Sequence, residues 1–472
     1  NDVYGDGMCC NYGNGSWTIS VGGNDVATGG SFADVQTAQV TIGTDMGVSS
    51  VGVAAVIAQG STTINGTVQN GGITPVVGFT LDYAVDGGAP VSQNFSNTVA
   101  PGASYDFSFT TPWNATVGAH SIVVTMSGVN GDLNAGNNSV TQAVEVATQS
   151  VQRTTLVEEF TSSTCVPCAN FNVTFDPTLS SLNTNVAGSH VAAVKYQMNW
   201  PSPGNDPSYN PDGVTRRTYY GVSGIPDPFI DGHNMTNGDA AEINANMARP
   251  SFIDMTVQYT RSGSQITVTG TVTPYANFPG TNKLHIAVTE DHYHYAASTT
   301  TQDDFHYAQR KMLPNGGGTT LTLTAGVAVP FTQTYTLVEG GPAQGNYNLW
   351  GTVGGITVVA FVQNNTTKEV FQAGVSETHV GFDENELGVA AFGLYPNPTD
   401  GWVSMRFDVN TPTNANIVVS NMLGERVMST SRSMGAGSQI SSLDLSSLPN
   451  GSYIVSVTAN GKTAKRQVVL AH

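Results

Sequence analysis

The chain has 472 residues, which at roughly 150 per domain amounts to about three domains or a larger number of small ones, and is too long for one compact enzyme domain. Charged residues make up 11%, against a usual ~25%, yet 16 Lys and Arg face 34 Asp and Glu and leave a net charge of −18. So few cations among so many carboxylates exclude nucleic acid and anionic membrane as partners. The 53 Gly and 22 Pro stay below the share that marks low-complexity disorder, and 39% apolar residues supply real cores. A polar complement of Thr, Ser, Asn and Gly favours strands joined by tight turns, so the chain is predicted to be mainly β and multidomain. The longest apolar run, Val51 to Ala58, has strand length, and no transmembrane segment is expected. The chain opens on Asn with no basic and apolar leader, which reads as a processed product or a fragment of a longer precursor.

At the N-terminus Asp2, Gly5, Asp6, Gly7, Asn11, Gly13, Asn14 and Gly15 crowd before the alternating Trp17-Thr18-Ile19-Ser20-Val21, a pattern of stacked turns feeding a strand. Asp2, Asp6 and Asn11 are candidate calcium ligands, because calcium takes hard oxygen donors from such loops. The same side chains equally satisfy their own turns. No other cofactor is expected. Cys9 and Cys10 are adjacent, close on each other only as a strained small ring, and therefore reach for partners elsewhere. The stretch Tyr4-Gly5-Asp6-Gly7-Met8-Cys9-Cys10 through Trp17 resembles the end of a small β-module repeated in large secreted proteins of the Bacteroidetes. Residues 1–43 are thus expected to be the C-terminal part of a cysteine-containing β-module.

Residues 44–148 alternate apolar and polar in stretches such as Val77 to Tyr83 and Ser121 to Met126, broken by Gly, Asn and Pro clusters every ten or so residues. That is the pattern of a seven-stranded sandwich. Gly118-Ala119-His120-Ser121-Ile122 followed by Asp132-Leu133-Asn134 and Asn137-Asn138 resembles the adhesion-type immunoglobulin-like module of bacterial surface proteins. His120 is expected to be an ordinary strand residue.

Helix-compatible sequence is concentrated between about 150 and 250. Thr155-Leu156-Val157-Glu158-Glu159-Phe160 is a buried-strand candidate, Thr161 to Thr164 a loop, and Cys165-Val166-Pro167-Cys168 opens a helix-compatible stretch. Four cysteines allow three connectivities, and nearness in the chain makes Cys165 with Cys168 the simplest pair, oxidised rather than metal-bound in an exported β-protein. Strand, loop, Cys-x-x-Cys and helix is the thioredoxin arrangement, where amides and macrodipole at the helix start stabilise a thiolate. Val191 to Tyr196 reads as a second core strand, Pro228-Phe229-Ile230 as an edge strand, and Asp239 with Glu242 as the capped start of a helix ending near Arg249-Pro250. Tyr220 to Pro226 resembles the thioredoxin segment whose Ile-Pro bond is cis and faces the disulfide. The resemblance implies Cys165 as attacking thiol, Cys168 as resolving thiol, Glu159 as proton acceptor and Pro226 as a shaper of the substrate groove. Two departures, Thr164 in place of an aromatic residue and an insertion around Trp200 to Pro207, weaken a reductase role. The stretch 149–250 most resembles the thioredoxin-like outer-membrane lipoprotein family of Bacteroidetes, in which redox activity is not implied and a stapled disulfide on a spacer fold is the reading preferred over redox activity.

From 251 to 380 the β pattern returns, with Ile266 to Val272 and Leu284 to Val288 as strands of a β-sandwich. His292, His294 and His306 with Asp291, Asp303 and Asp304 are the residue types that collect around zinc or its neighbours. Their spacing follows no compact metal motif, and the interleaved Tyr293, Tyr295, Phe305 and Tyr307 read instead as an alternating strand or a loop packed on the sandwich. Residues 381–391, acidic and Gly-containing, form a linker.

Leu394-Tyr395-Pro396-Asn397-Pro398, Asn421-Met422-Leu423-Gly424-Glu425 and Leu448-Pro449-Asn450-Gly451-Ser452-Tyr453 mark 392–472. This region resembles the C-terminal sorting domain of type IX secretion cargo. It is expected to be a small sandwich in which Tyr453, Val455 and Val457 face one side. The resemblance implies the type IX machinery as partner and a location outside, or attached to the outer surface of, a Gram-negative cell. Two functions are compatible with these features: a structural or adhesive surface protein, self-assembling or binding a surface ligand, and an extracellular thiol-disulfide oxidoreductase. Neither Gly-x-Ser-x-Gly nor His-Glu-x-x-His occurs, which disfavours a hydrolase.

Overall fold

A computed structural model describes residues 16–21, 24–30, 41–352, 355–376, 389–409, 412–421, 425–435, 437–459 and 462–472. Trp17–Val21 pairs antiparallel with Asn24–Gly29, so the strand expected before the first sandwich is present. Asp2, Asp6, Cys9, Cys10 and Asn11 lie outside the described residues.

The alternation in 44–148 builds two facing sheets. One runs in the order Val56–Ile57, Ser139–Val146, Gly118–Ser127, Val76–Val85, Val91–Val99, and the other in the order Met46–Val51, Asn65–Asn70, Ser104–Ser108. Between them lie Phe79, Leu81, Phe95, Phe107, Phe109, Ile122 and Val124. Gly78, at φ 74°, sits where the register shifts between Val77 and Phe79. This bulge turns both Val76 and Phe79 inward, which strict alternation forbids. The sandwich meets the central unit through the Thr148 amide, which donates to Tyr275 O at 2.9 Å.

The central unit contains the strands Thr155–Thr161 (β1), Val191–Gln197 (β2), Asp227–Ile230 (β3), His233–Asn234 (β4), Asn282–His294 (β5), Asp304–Leu313 (β6), Thr319–Leu321 (β7), Ile356–Asn364 (β8) and Val370–Val375 (β9). Its helices are Val166–Ser181 (α1), Pro211–Tyr220 (α2) and Ala240–Met247 (α3). β1 and β2 are buried along their whole length, as strands covered on both faces must be. They pair in parallel, Thr155 opposite Val191, while β3 runs antiparallel on the other side of β1. The sheet order is β4-β3-β1-β2-β6-β5-β8-β9, with β7 added against β5. Asp227–Ile230 is therefore not an edge as its sequence suggests, because the two-residue β4 pairs outside it. Residues assigned from sequence to separate stretches, 149–250 and 251–380, share this sheet. One core cluster joins Leu156, Phe160, Val194 and Tyr196 to Ala287, Met312, Val359 and Phe361. On the other face Val157, Val191 and Ala193 pack with Phe175 and Leu179 of α1 and Ile243 of α3. A three-stranded sheet of Ile253–Ser262, Gln265–Pro274 and Val329–Thr336 closes a third core with Ile286, Val288 and Val358.

The chain enters and leaves this unit at one place. The Thr154 amide donates to Gln372 Oε1 at 2.8 Å, the Ala373 amide donates to Thr154 O at 3.3 Å, and Arg153 Nη1 reaches Val370 O at 3.0 Å.

The C-terminal region pairs Val389–Tyr395, Trp402–Val409 and Gly437–Asp444 in one sheet. A second runs in the order Arg426–Met434, Thr413–Asn421, Gly451–Ala459, Lys462–Leu470. The first strand begins within the span expected to be linker, whose residues 381–388 lie outside the described ones. Tyr453, Val455 and Val457 are buried while Ser452, Ile454 and Ser456 are half-buried, the two-residue period read from sequence. Among the described residues no helix is long and apolar enough to cross a membrane.

Candidate functional site

Cys165 caps α1. Its backbone is extended, Pro167 occupies the first turn, and its Sγ accepts from the Cys168 amide at 3.1 Å, which satisfies one of the orphan donors of a helix start. The two cysteines form a disulfide with Cα atoms 5.2 Å apart. The bond is sealed: Cys165 is 2% and Cys168 0% exposed. Cys165 Sγ lies 3.8 Å from Ile225 O, the carbonyl that precedes Pro226, and the Ile225–Pro226 peptide is cis. The loop before Cys165 is fixed from three sides. Thr164 Oγ1 donates to Trp200 O at 2.8 Å, the Ser163 amide to Asp206 Oδ2 at 2.8 Å, and Ser298 Oγ to Ser163 O at 2.9 Å. The Trp200–Pro207 insertion and the Thr at position 164 thus act together.

Glu159 is fully buried on the α1 side of the sheet, where Lys195 Nζ approaches its Oε2 at 2.6 Å. Asn172 and Asp176 of α1 meet the same ammonium, Asn172 Oδ1 at 2.9 Å. Burial raises the Glu159 carboxyl above the ordinary range despite the neighbouring cation. Burial alone would lower Lys195, yet Glu159 and Asp176 more than offset it and its pKa sits above the usual lysine value. The acid assigned to proton transfer by resemblance is thereby tied to a lysine on the adjacent strand: Glu159 is the direct partner of Lys195 in the β1/β2 ladder.

Glu158, one residue earlier, points to the opposite face and enters a second buried network. Its Oε1 accepts from Arg216 Nη2 at 2.7 Å and from the Tyr196 hydroxyl at 2.8 Å, and its Oε2 accepts from the Tyr220 hydroxyl. Arg216 Nη1 continues to Gln363 Oε1 at 3.0 Å, and His285, stacked on Phe361, lies 3.4 Å from the same nitrogen. Burial pushes His285 well below the ordinary histidine value, so it is neutral there. Three further buried pairs belong to the same unit: Arg153–Asp231, Arg310–Glu290 and Lys311–Asp212. These residues escape a reading by local pattern, since their partners lie far along the chain. The available signal is a charge inside an otherwise apolar strand run, as at Lys195.

The histidines and acids of the 291–306 region separate by strand alternation. On β5 and β6, His292 is opposite His306 and His294 opposite Asp304, and these four share the face away from buried Tyr293 and Phe305. Asp304 Oδ1 meets His292 Nε2 at 2.8 Å and His294 Nδ1 at 3.2 Å. Asp291 belongs to the other set, half-buried, with its carboxyl pushed up to about 6 by burial.

The chain matches the family described as the secretion system C-terminal sorting domain over residues 393–471. It is thus cargo of type IX secretion and works outside the cell or on its surface. No curated protein matches it. Among solved structures, HBP35 of Porphyromonas gingivalis aligns at 16% identity over 68% of this chain and 99% of its own, with a TM-score of 0.37. A domain of the outer membrane lipoprotein Omp28 from Porphyromonas gingivalis aligns at 13% identity over 27% of this chain and 88% of its own, TM-score 0.19. A domain of a cell surface protein from Methanosarcina acetivorans aligns at 22% identity over 23% and 96%, TM-score 0.21. At such scores these neighbours add nothing to the strand order of the sheets.

Proposed function

We propose that the chain is a structural or adhesive component of the outer cell surface, delivered by the type IX machinery through residues 392–472. In this reading the 149–250 stretch is a thioredoxin-like unit used as a stapled spacer rather than as an oxidoreductase. The parallel β1/β2 pair, the Cys-x-x-Cys at the start of α1 and the Ile225–Pro226 bond beside it support that fold assignment. The observation that carries the function is the burial of the disulfide, 2% and 0% exposed. Thiol exchange requires an attacking thiolate to reach a sulfur in line with the bond, and Cys165 offers no such approach.

The test is the reduction potential of the Cys165–Cys168 couple in a variant with Cys9→Ser and Cys10→Ser. A value below about −300 mV is that of a structural staple and is the expected result. A value between about −120 and −270 mV, the span of catalytic thioredoxin-like proteins, overturns the reading and restores the oxidoreductase. Self-assembly is part of the same proposal, and sedimentation that finds only monomers at high concentration removes it.

A further inference from the structure

We propose that His294, Asp303 and Asp304, supported by His292, bind one divalent transition metal ion of the zinc or copper type. Strand register brings His294 and Asp304 together, and Asp303 lies at the entry to β6, where its carbonyl accepts from the Tyr295 amide at 2.7 Å. Because side chains alternate with a period of two, the run His292-Tyr293-His294 on β5 places both imidazoles on one face. The antiparallel run Asp304-Phe305-His306 on β6 places a carboxylate and a third imidazole directly opposite. One ligand atom each from His294, Asp303 and Asp304 lies within 4.8 Å of the other two. Nitrogen and oxygen ligands around a tetrahedral ion at 2.0–2.1 Å stand about 3.4 Å apart, so closing on an ion needs only side-chain rotation.

Two features separate this array from an ordinary patch of surface acids. The first is its nitrogen content: imidazole selects zinc, copper or nickel, whereas calcium and magnesium prefer all-oxygen shells. His292 Nε2, at 2.8 Å from the Asp304 oxygen, also positions that carboxylate, the arrangement by which outer-shell partners tune a metal ligand. The second is the rigidity beneath it. Tyr293 stacks on Phe305 with ring centroids 5.1 Å apart and on Trp350 at 5.4 Å, the latter pair nearly parallel at 3°. The ligand face is therefore the solvent side of a locked aromatic layer, and ligands on strands so held need little ordering on binding. A cleft of about 250 Å³ beside the array, lined in part by Asp176, Gln302, Asp303 and His306, gives a hydrated ion a polar approach.

The experiment is calorimetric titration of the full chain, carrying Cys9→Ser and Cys10→Ser so that adjacent thiols do not take the metal, with ZnCl2 in the presence of millimolar CaCl2. One equivalent of zinc is expected to bind and calcium is expected not to displace it. His292→Ala weakens binding by about 10–100-fold, the usual effect of losing an outer-shell partner, while Asp304→Asn and His294→Ala abolish it. The side chains of His292, His294 and Asp304 are 51%, 54% and 53% exposed, so the variants keep the fold, which an unchanged melting curve without metal verifies. Wild-type zinc binding in Asp304→Asn, absence of binding in the parent, or displacement of zinc by calcium each overturns the proposal.

Discussion

The sandwich at 44–148 contains neither Lys nor Arg, and none precedes Arg153, whereas ten of the chain's 16 fall between Arg153 and Lys368. Five of those ten are buried in ion pairs inside the central unit, with Asp231, Glu159, Glu158, Glu290 and Asp212. Apolar side chains such as Phe95 and Phe107, edge to face at 6.3 Å, accept many arrangements of similar volume. A buried Arg accepts very few, because each donor left without an acceptor costs the full desolvation of that group. The difference teaches that this protein concentrates its scarce cations inside the central unit, where Lys311–Asp212 and the Arg216–Gln363 contact also tie the α1–α3 half to the second half of the sheet. Its peripheral sandwich does without them.

Removal of one partner from the charged core has the largest expected effect. Arg216→Met leaves Glu158 buried with only tyrosine hydroxyls, and the unfolding free energy of the central unit should fall by about 3–5 kcal/mol, read by urea denaturation. Adding Glu158→Gln to that variant should recover much of the loss, since no uncompensated charge then remains. If it does not, the network is held by packing and the contrast between the regions fails. In the apolar region Phe107→Ala should cost about 3–4 kcal/mol, with no rescue from any charge change. The pair Cys165→Ser and Cys168→Ser releases a very short loop and should lower stability by about 2 kcal/mol while leaving secretion and the far-ultraviolet dichroism intact.

The smallest effect concerns pH. His120 Nδ1 donates to Asp86 Oδ2 at 2.6 Å, and this hydrogen bond to the carboxylate raises the imidazole above its usual value. A raised histidine binds its proton more tightly folded than unfolded. Its contribution is complete below about pH 6.5, the unfolded value, and is lost as pH rises through the folded one. The stability of the sandwich should therefore drop slightly as pH rises above about 6.5, and His120→Gln should flatten that slope, read by thermal melts across pH.

Much of the local structure was legible in the residues. The run Thr155 to Phe160, the Cys-x-x-Cys at a helix start, the Asp239 cap whose side chain accepts from the Glu242 amide at 2.9 Å and the alternation at 453–457 all come from periodicity and capping rules that act over a few residues. Partner choice stayed hidden. Glu158 finds Arg216, 58 residues on, and Arg310 finds Glu290 across a strand pair, because burial of opposite charges is decided by sheet order and not by spacing. The continuity of the sheet across residue 250 was hidden for the same reason: β2 meets β6 through Lys195 and Ala308, and neither strand carries a mark of the other. The histidine array is an intermediate case. Its alternation is written in each strand, but the convergence needs the register of both.

The clamp where the chain enters and leaves the central unit has a mechanical consequence. Between the sandwich at 44–148 and the C-terminal domain the chain enters past Thr148 and Val151 and leaves after Val375, and close to both ends Thr154 and Ala373 are bonded to each other. That short bridge of backbone and Gln372 contacts lies at the mouth of the unit, with α1 and the disulfide further along the chain. The expected behaviour is that of a knot in a tether, in which the bridge between the two connections takes the load before the charged core does.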